Sequence, residues 1–327
     1  MSREVVLAAR PEGEPQESDF ELRDVADAEP GEGEVSVRNV FVSVDPYMRG
    51  RMTGVRTYVA PFEVGDPIDG GAVGRVVASK HDGLEEGDWV LSQLGWRESG
   101  VAEGKRLRKL DPELAAPSTA LGALGMPGFT AWIGLTEIAD VKEGETIYVS
   151  GAAGAVGSAA VQIAKLKGLQ VIGSAGSNEK VEWLRSLGVE AFNYRETGAK
   201  DALGAGIDVY FDNVGGDQLE AALTALRPFG RVAACGAISH YNSRQPEPGP
   251  RNLAFIVGKR LRVQGFIVSD HYARFDDFLQ EVAPWVAEEK LECRETMLDG
   301  IENVPAAFAG LFRGDNTGKM LVRVGPD

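Results

Sequence analysis

Two patterns of apolar and polar residues divide the chain. Residues 1–117 carry short apolar runs separated by clusters of Pro, Gly and Asp, among them EVSVRNVFVSVD, GAVGRVVAS and DWVLSQLGW. Runs of this length between turn residues predict β-strands. We therefore predict a mainly β domain in the first part of the chain.

From residue 118 to residue 286, strand-like runs alternate with helix-like stretches. The order is TIYVSGA, AVGSAAVQIAKLKG, LQVIGSAG, SNEKVEWLRSLG and EAFNY, and further strands are expected in IDVYFDNVG, GRVAACGA and LRVQGFIV. Such alternation predicts right-handed crossovers and a parallel sheet. About six strands are expected, as in a complete doubly wound dinucleotide-binding domain. The predicted fold class is therefore α/β.

The segment 287–327 returns to mixed character and ends in the strand-like run KMLVRV. We expect it to rejoin the first domain. A cleft between two domains would then be the natural place for a small-molecule ligand.

A glycine-rich loop lies between the first strand and the first helix of the α/β pattern. In the sequence SGAAGAVGS the glycines are Gly151, Gly154 and Gly157. A dinucleotide site needs a tight turn, an unobstructed backbone and helix amides that face the pyrophosphate. An ordinary strand-to-helix turn is the alternative, but the βαβ context favours dinucleotide binding.

The end of the second strand bears on the choice of coenzyme. Sites for NAD carry an acidic residue roughly 20 residues after the glycines, where it binds the ribose diol. Here that stretch reads VIGSAGSNEK, so Ser174, Ala175 and Gly176 supply no carboxylate and Lys180 lies close enough to pair with a phosphate. NADPH is the predicted coenzyme, although Lys180 beside Glu179 could equally be a solvated helix residue.

Composition excludes several classes of protein. The net charge is −15, so a nucleic-acid partner is not expected. The first residues contain no apolar run of signal-peptide length, and no stretch approaches the roughly 20 apolar residues of a membrane span. We expect a cytoplasmic protein without a membrane partner. An acidic surface rich in Arg over Lys also raises the hypothesis of a host with high internal salt.

Metal and serine-nucleophile chemistry both lack support in the sequence. The chain has three histidines and two cysteines, and residues 1–117 contain no cysteine. This inventory cannot supply the catalytic and structural zinc ligands of alcohol dehydrogenases of similar layout. No G-x-S-x-G motif occurs either. We therefore predict hydride transfer without a metal.

The segment VDPYMRGRM predicts a short helix that begins with Asp45 as N-cap and Pro46 as first helical residue. We expect this helix to present Tyr47, Arg51 and Met52 toward the substrate. Arg49 and Arg51 could instead brace the loop against carboxylates.

Several motifs taken together resemble one known family over nearly the whole chain. They are VSVDPYMRGRM at 42–52, SGAAGAVGS at 150–158, FNY at 192–194, YFDNVGG at 210–216, CGAISHYN at 235–242, GFIVSDH at 265–271 and GDNTGKMLV at 314–322. The sequence is similar to the zinc-independent medium-chain dehydrogenases/reductases, in the leukotriene 12-hydroxydehydrogenase/prostaglandin reductase and curcumin reductase family. The resemblance implies a GroES-like catalytic domain around a central Rossmann domain. It also implies NADPH-dependent reduction of conjugated enones or enals, and a homodimer.

The resemblance also implies a set of coenzyme contacts. These are Gly154, Ala155, Val156 and Gly157 at the pyrophosphate, Lys180 and Tyr194 at the adenosine phosphate, and Asn213, Cys235, Gly236, Ala237, Ile238, Ser239, Tyr241, Phe266, Ile267, Val268 and Asn316 elsewhere. By composition alone, GFIV would be a buried strand, and Asn213 and Asn316 would be turn residues.

Tyr241 is the candidate catalytic residue. Hydride attack at a β-carbon moves charge onto the carbonyl oxygen, so a donor aimed at that oxygen is required. A phenol with an ordinary pKa of about 10 can donate while remaining neutral. The alternative is an aromatic residue that only packs the loop, and solvent could supply the final proton.

Two other functions remain open at this point. A quinone reductase would use the same coenzyme site with a flat aromatic acceptor. A non-catalytic NADPH-binding or redox-sensing protein would bind the coenzyme without turnover.

Overall fold

The computed structural model describes residues 1–204, 206–245 and 247–326. Within them the strands are β1 (Ser2–Leu7), β2 (Phe20–Val25), β3 (Glu34–Ser43), β4 (Ala72–Ser79), β5 (Trp89–Ser92), β6 (Ser99–Glu103), β7 (Arg108–Leu110), β8 (Thr146–Val149), β9 (Gln170–Ala175), β10 (Glu190–Asn193), β11 (Ile207–Asp212), β12 (Leu226–Ala234), β13 (Arg262–Gly265), β14 (Glu295–Asp299) and β15 (Lys319–Arg323).

The α-helices of the same ranges are α1 (Met48–Arg51), α2 (Met126–Ile133), α3 (Ala155–Leu166), α4 (Asn178–Ser186), α5 (Ala199–Ala202), α6 (Gly216–Ala225), α7 (Ala254–Lys259), α8 (Phe275–Ala287) and α9 (Val304–Arg313). A π-helical turn (Gly134–Ile138) extends α2. Short 3-10 helices are Glu17–Asp19, Gly104–Arg106, Pro117–Leu121, Ile238–His240, Val268–Arg274 and Ile301–Asn303.

The chain divides into two compact units. Unit 1 consists of Met1–Leu121 together with the described residues from Arg294 onward, and unit 2 consists of Gly122–Cys293. The sequence predicted domain boundaries at 117/118 and 286/287, whereas the compact units of the structure meet at 121/122 and 293/294. The boundaries of the functional domains remain a prediction.

Unit 1 is built on a seven-stranded sheet. Its order is β14-β15-β3-β4-β5-β7, with β6 also paired to β3. Strand β15 pairs antiparallel with β3, so the end of the chain lies beside a strand from its beginning. One face packs on an apolar core centred on Trp96, Phe308 and Phe20, whose rings lie 5.5 to 6.2 Å apart. The predicted β-rich domain is confirmed.

Unit 2 contains a six-stranded parallel sheet in the order β10-β9-β8-β11-β12-β13. Numbered within the unit, this is the order 3-2-1-4-5-6 of the Rossmann fold. Strands β8 and β11 are apolar on both faces, as expected for central strands covered by helices. The predicted Rossmann domain is confirmed, and its strand order reverses between β8 and β11, where dinucleotides bind in this fold.

Candidate functional site

The glycine loop connects β8 to α3 at the carboxyl edge of the sheet. Gly151 adopts a φ of +58°, and the amide of Gly154 donates to the Gly151 carbonyl at 3.0 Å, which closes a tight turn. A Cβ on Gly157 would lie 2.2 Å from that same carbonyl oxygen. Glycine is therefore required at 157 for the helix to approach the loop.

Gly154 is the N-cap residue of α3, and its surroundings are open. The nearest atom to a Cβ placed there is the Gly151 carbonyl oxygen at 3.4 Å. The first i→i−4 bond of the helix runs from the Ser158 amide to the Gly154 carbonyl. The amides of Ala155 and Val156 precede it and point out of the helix end, where the helix dipole favours an anion. The loop thus fits a pyrophosphate.

The end of β9 carries no acidic residue. Ser174 is buried and accepts a hydrogen bond from Tyr148 Oη at 2.9 Å. Beyond it, a Cβ on Gly176 would lie 2.8 Å from the hydroxyl oxygen of Tyr194. Ser177 caps α4 and accepts from the Lys180 amide. The structure thus places the Tyr194 hydroxyl beside Gly176, four residues before Lys180 in the chain.

Two further loops lie at the carboxyl ends of β11 and β12. The side-chain amide of Asn213 donates to the Ser150 carbonyl at 2.8 Å, and its main-chain amide donates to Ser150 Oγ at 3.0 Å. The Asn213 carbonyl accepts from the Ile238 amide at 3.3 Å. Asn213 therefore links the glycine loop to the segment 235–241.

Tyr241 follows the short helix Ile238–His240. Its hydroxyl accepts from the Ala237 amide at 3.4 Å, and a Cβ on Gly236 would lie 3.1 Å from the same oxygen. The phenol therefore folds back over its own loop, and a Cβ at position 236 would be in tight contact with its hydroxyl. Ser239 is exposed, and its hydroxyl donates to the Val214 carbonyl at 2.6 Å.

Cys235 enters this loop directly after β12. Its amide donates to the Asp212 carbonyl at 2.9 Å. Burial, with the nearby Asp212 carboxylate, raises the pKa of the Cys235 thiol to about 12. The side chain is therefore a neutral thiol at physiological pH rather than a nucleophile.

The segment Phe266–Val268 follows β13, and all three side chains are half-buried. The Phe266 ring packs edge-on against Phe211 at a centroid distance of 6.5 Å. A Cβ on Gly134 would lie 2.4 Å from the Phe211 ring and 3.1 Å from the Phe266 ring, so this glycine admits both. Phe266 thus packs beside β11 rather than within a continuous buried strand, since β13 itself is exposed along its length.

The predicted start of the first helix is wrong. Helix α1 begins at Met48 with Tyr47 as its cap residue, and the Asp45 side chain does not cap it. Instead, the buried Asp45 carboxylate accepts hydrogen bonds from Ser43 Oγ and from Lys319 Nζ, the latter at 3.1 Å. The Asp45 carboxylate therefore forms a long-range ion pair with Lys319 instead of capping the helix.

The predicted substrate residues of unit 1 differ in exposure. Tyr47 is half-buried against the core, and Met52 is fully buried within it. The half-buried Arg51 donates to the Ala60 carbonyl at 2.9 Å, and its guanidinium lies 3.7 Å from the Phe62 ring centroid. Arg49 donates to the Pro11 and Gly13 carbonyls. Both arginines therefore brace loops, as the alternative prediction had it. The acceptors of these hydrogen bonds are backbone carbonyls, whereas the prediction named carboxylates.

Asn316 lies in the turn before β15, also in unit 1. It is buried, and its side-chain amide donates to the Gly318 carbonyl at 2.7 Å. Gly318 has a φ of +71°, so the D-N-T-G turn is present as the sequence indicates.

Residues 1–204, 206–245 and 247–326 contain no group of three or more His, Cys, Asp or Glu side chains arranged to hold a metal ion. Across the same ranges, no helix is both long enough and apolar enough to cross a membrane.

Unit 2 thus gathers most of the predicted coenzyme residues at the carboxyl edge of one parallel sheet. Sequence reasoning missed Ser150 and Asp212, two buried residues whose hydrogen bonds connect these loops. The available signal was the carboxylate at the end of the apolar run IDVYFD. Burying a charged group costs free energy unless hydrogen-bond donors or an opposite charge surround it, so a buried acid at this position predicts such donors.

A Rossmann unit with a glycine loop, combined with a β-rich unit formed from both ends of the chain, defines the class of medium-chain dehydrogenases/reductases. Residues 3–110 match the family described as N-terminal domain of oxidoreductase, and residues 155–287 match the family described as zinc-binding dehydrogenase.

The similarity to individual proteins extends over the full length. The chain is 44% identical over 338 residues to the NADPH-dependent curcumin reductase of Escherichia coli, covering 100% of this chain and 98% of that protein. It is 43% identical over 322 residues to prostaglandin reductase 1 of Bos taurus, covering 95% of each. The crystal structure of CurA from Vibrio vulnificus in complex with NADPH matches with a TM-score of 0.94 at 40% identity, covering 99% of this chain and 100% of that chain. The chain therefore belongs to the zinc-independent medium-chain dehydrogenases/reductases, in the prostaglandin reductase and curcumin reductase family.

Proposed function

We propose that this protein uses NADPH to reduce the carbon–carbon double bond of α,β-unsaturated ketones and aldehydes, without a metal. The observation that carries the proposal is the full-length match to an NADPH-dependent curcumin reductase at 44% identity. The geometry of unit 2 agrees with it at each part of the coenzyme site.

The glycine loop would bind the pyrophosphate. Gly154, Ala155, Val156 and Gly157 form the first turn of α3, where helix amides and the helix dipole favour an anion. The open space at Gly154 leaves the backbone accessible to phosphate oxygens. When bound, NADPH would supply the hydride.

Lys180 and Tyr194 would bind the adenosine phosphate. Strand β9 ends with Ser174 and Ala175, and Gly176 follows it, so no carboxylate repels a 2′-phosphate there. The Lys180 ammonium can pair with the phosphate, and the Tyr194 hydroxyl beside Gly176 can donate to it. The protein should therefore prefer NADPH to NADH.

Tyr241 would stabilise the developing enolate. Addition of a hydride at the β-carbon breaks the carbon–carbon π bond and moves its electron pair toward the carbonyl oxygen. The Tyr241 hydroxyl, held over Gly236 and accepting from the Ala237 amide, can donate to that oxygen. A proton from solvent at the α-carbon would complete the saturated product.

Asn213, the loop 235–239 and the segment Phe266–Val268 would contact the remainder of the coenzyme. In unit 1, Tyr47 and Arg51 remain the proposed substrate residues and Asn316 a proposed coenzyme contact. The buried position of Met52 gives it a packing role, and its predicted substrate contact is not carried into the proposal.

We further propose that the protein is a cytoplasmic homodimer. Strand β13 forms one edge of the parallel sheet and is exposed along its length. Val263 on this strand is 42% exposed, and Val257 on the preceding helix is 81% exposed. A second copy pairing with this edge would cover both side chains. Sedimentation velocity should show a dimer that Val257→Glu weakens, and a monomer in the wild type would refute this part.

The test of the reaction class follows NADPH oxidation optically with matched acceptors. A linear conjugated enone should be reduced, and mass spectrometry should show a saturated ketone. The matched saturated ketone and an alkene without a carbonyl should not react. Turnover of a small benzoquinone alone would favour a quinone reductase. NADPH binding without turnover of any acceptor would favour a non-catalytic binding protein.

A further inference from the structure

Asp212 is a buried carboxylate at the point where the strand order reverses. It ends β11 and is only 2% exposed. Its Oδ1 accepts hydrogen bonds from Tyr210 Oη at 2.7 Å, Ser150 Oγ at 3.4 Å, Val214 N at 3.0 Å and Gly215 N at 2.7 Å. Burial raises the pKa of Asp212, and the hydrogen bonds, the one from the Gly215 amide foremost, oppose that rise.

These donors fix the loop that follows β11. Gly215 and Gly216 have φ values of +74° and +52°, so the chain turns sharply just after the bonded amides. Without the acceptor at Asp212, the two loop amides would lose the acceptor they share, whereas the two buried hydroxyls keep a second oxygen within reach. Leaving buried donors unsatisfied costs more than a hydrogen bond contributes when made.

The same residue also anchors the loop that follows β12. The Asp212 main-chain carbonyl accepts from the amides of Cys235 and Gly236, each at 2.9 Å. Farther out, the Val214 carbonyl accepts from the amide and the hydroxyl of Ser239, at 3.2 and 2.6 Å. The two loops are thus joined from the buried end at Asp212 to the more accessible end at Ser239.

We propose that Asp212 is a positioning residue, which clamps the loop after β11 to the loop after β12 and so sets the coenzyme-binding surface before the coenzyme arrives. The inference rests on the proposed function, because it takes Asn213 and the segment 235–241 as coenzyme contacts. Preorganised loops bind more tightly because less conformational entropy is lost on binding.

The test measures the dissociation constant for NADPH directly, by fluorescence of the bound coenzyme. Asp212→Leu removes the acceptor at similar volume and should weaken binding at least tenfold, whereas Asp212→Asn keeps an oxygen at Oδ1 and should stay within about threefold. Tyr148→Phe is the matched control: it removes a buried hydroxyl from the same sheet, where it bonds Ser174 and Gln218 and not the loops. It should lower thermal stability with NADPH affinity unchanged.

Ser239→Ala provides a second variant that does not depend on a fully buried substitution. The Ser239 side chain is exposed, so the variant should fold as the wild type does, and loss of its bond to Val214 should weaken NADPH binding about threefold. Unchanged affinity in Ser239→Ala or in a folded Asp212→Leu overturns the inference. So does an Asp212→Asn variant as weak as Asp212→Leu, or equal weakening by Tyr148→Phe. A wild type that binds no NADPH would instead refute the proposed function.

Discussion

Breaking the buried ion pair between Lys319 and Asp45 on one side should destabilise unit 1. The two side chains are 4% and 8% exposed, so solvent screens them little. The Lys319 ammonium donates to Asp45 Oδ1 at 3.1 Å, to the Val44 carbonyl at 2.8 Å and to the Met320 carbonyl at 3.0 Å. Three donors therefore meet three acceptors, the condition under which a buried charge is tolerated.

Replacing Lys319 with Met keeps the apolar stem and removes the charge. The buried Asp45 carboxylate and the half-buried Glu295 carboxylate then lose their cation, because Glu295 is the cross-strand neighbour of Lys319 in the β14–β15 pair and is also stabilised by its charge. Breaking a buried pair on one side costs about 3–5 kcal/mol. A loss of that size is a large part of the stability of an ordinary domain.

Hydrogen exchange read by mass spectrometry is the suitable assay, because it reports the opening of β3 and β15 separately from unit 2. Exchange of their slowest amides should accelerate by roughly 100-fold or more, since every 1.4 kcal/mol is a factor of ten. Asp299→Asn is the matched control: its pair with Arg323 joins β14 to β15 in the same sheet, but the side chains are 79% and 45% exposed. Exposed pairs contribute about 0–1 kcal/mol.

Two results would refute this reasoning. The first is an acceleration in Lys319→Met no larger than that in Asp299→Asn. The second concerns the double variant Lys319→Met/Asp45→Leu, which removes both members of the pair and should recover at least half of the loss, because a neutral pair leaves no charge stranded at Asp45. A double variant with the summed losses of the two single variants would contradict the proposed coupling.

Three further predictions concern catalysis, the glycine loop and pH. Tyr241→Phe should lower kcat at least tenfold with little change in NADPH affinity, because it removes the donor to the enolate, and the bond from the Ala237 amide that goes with it is long, at 3.4 Å; steady-state kinetics that show an unchanged rate would exclude this role. Gly157→Ala should cost about 1–3 kcal/mol in thermal unfolding, since its Cβ would lie 2.2 Å from a carbonyl oxygen, whereas Gly154→Ala should leave unfolding unchanged and weaken NADPH binding. Burial raises the pKa of Glu295 above its ordinary 4.5, so the folded state binds its proton more tightly and loses stability as pH rises between the unfolded and folded values. Glu295→Gln should therefore stabilise the protein at pH 7 and not at pH 4, and equal effects at both would contradict the assignment.

Local sequence patterns were sufficient to predict the parallel sheet. Strand β11 and helix α3 reproduce the apolar run and the amphipathic stretch that indicated them. Their order along the chain then specifies the crossovers, because right-handed connections leave few alternatives. The glycine loop was predictable for the same reason. Gly151, Gly154 and Gly157 lie within seven residues of one another, and the conformation and close approach of the local backbone call for glycine there.

Partners far apart in sequence were not predictable. Asp45 before Pro46 has the local signature of a helix N-cap, yet its carboxylate pairs with Lys319, 274 residues away. A helix cap contributes about 1 kcal/mol, whereas a buried ammonium without its carboxylate costs several times as much. The ion pair therefore determines where the Asp45 carboxylate points, and nothing near Asp45 in sequence reveals it.

Asp212 was missed because its hydrogen-bond donors also come together only in the tertiary structure. In sequence it is one acid in the motif YFDNVGG, and a turn-forming role for the following Asn is sufficient to account for the motif. Only the tertiary structure places four donors on one oxygen, with Tyr210, Ser150 and two loop amides converging from two strand ends and a loop. Burial of this carboxylate carries a desolvation cost, which its hydrogen-bond donors oppose. Its presence at the edge where the coenzyme loops meet is better explained by their geometry than by the stability of the sheet.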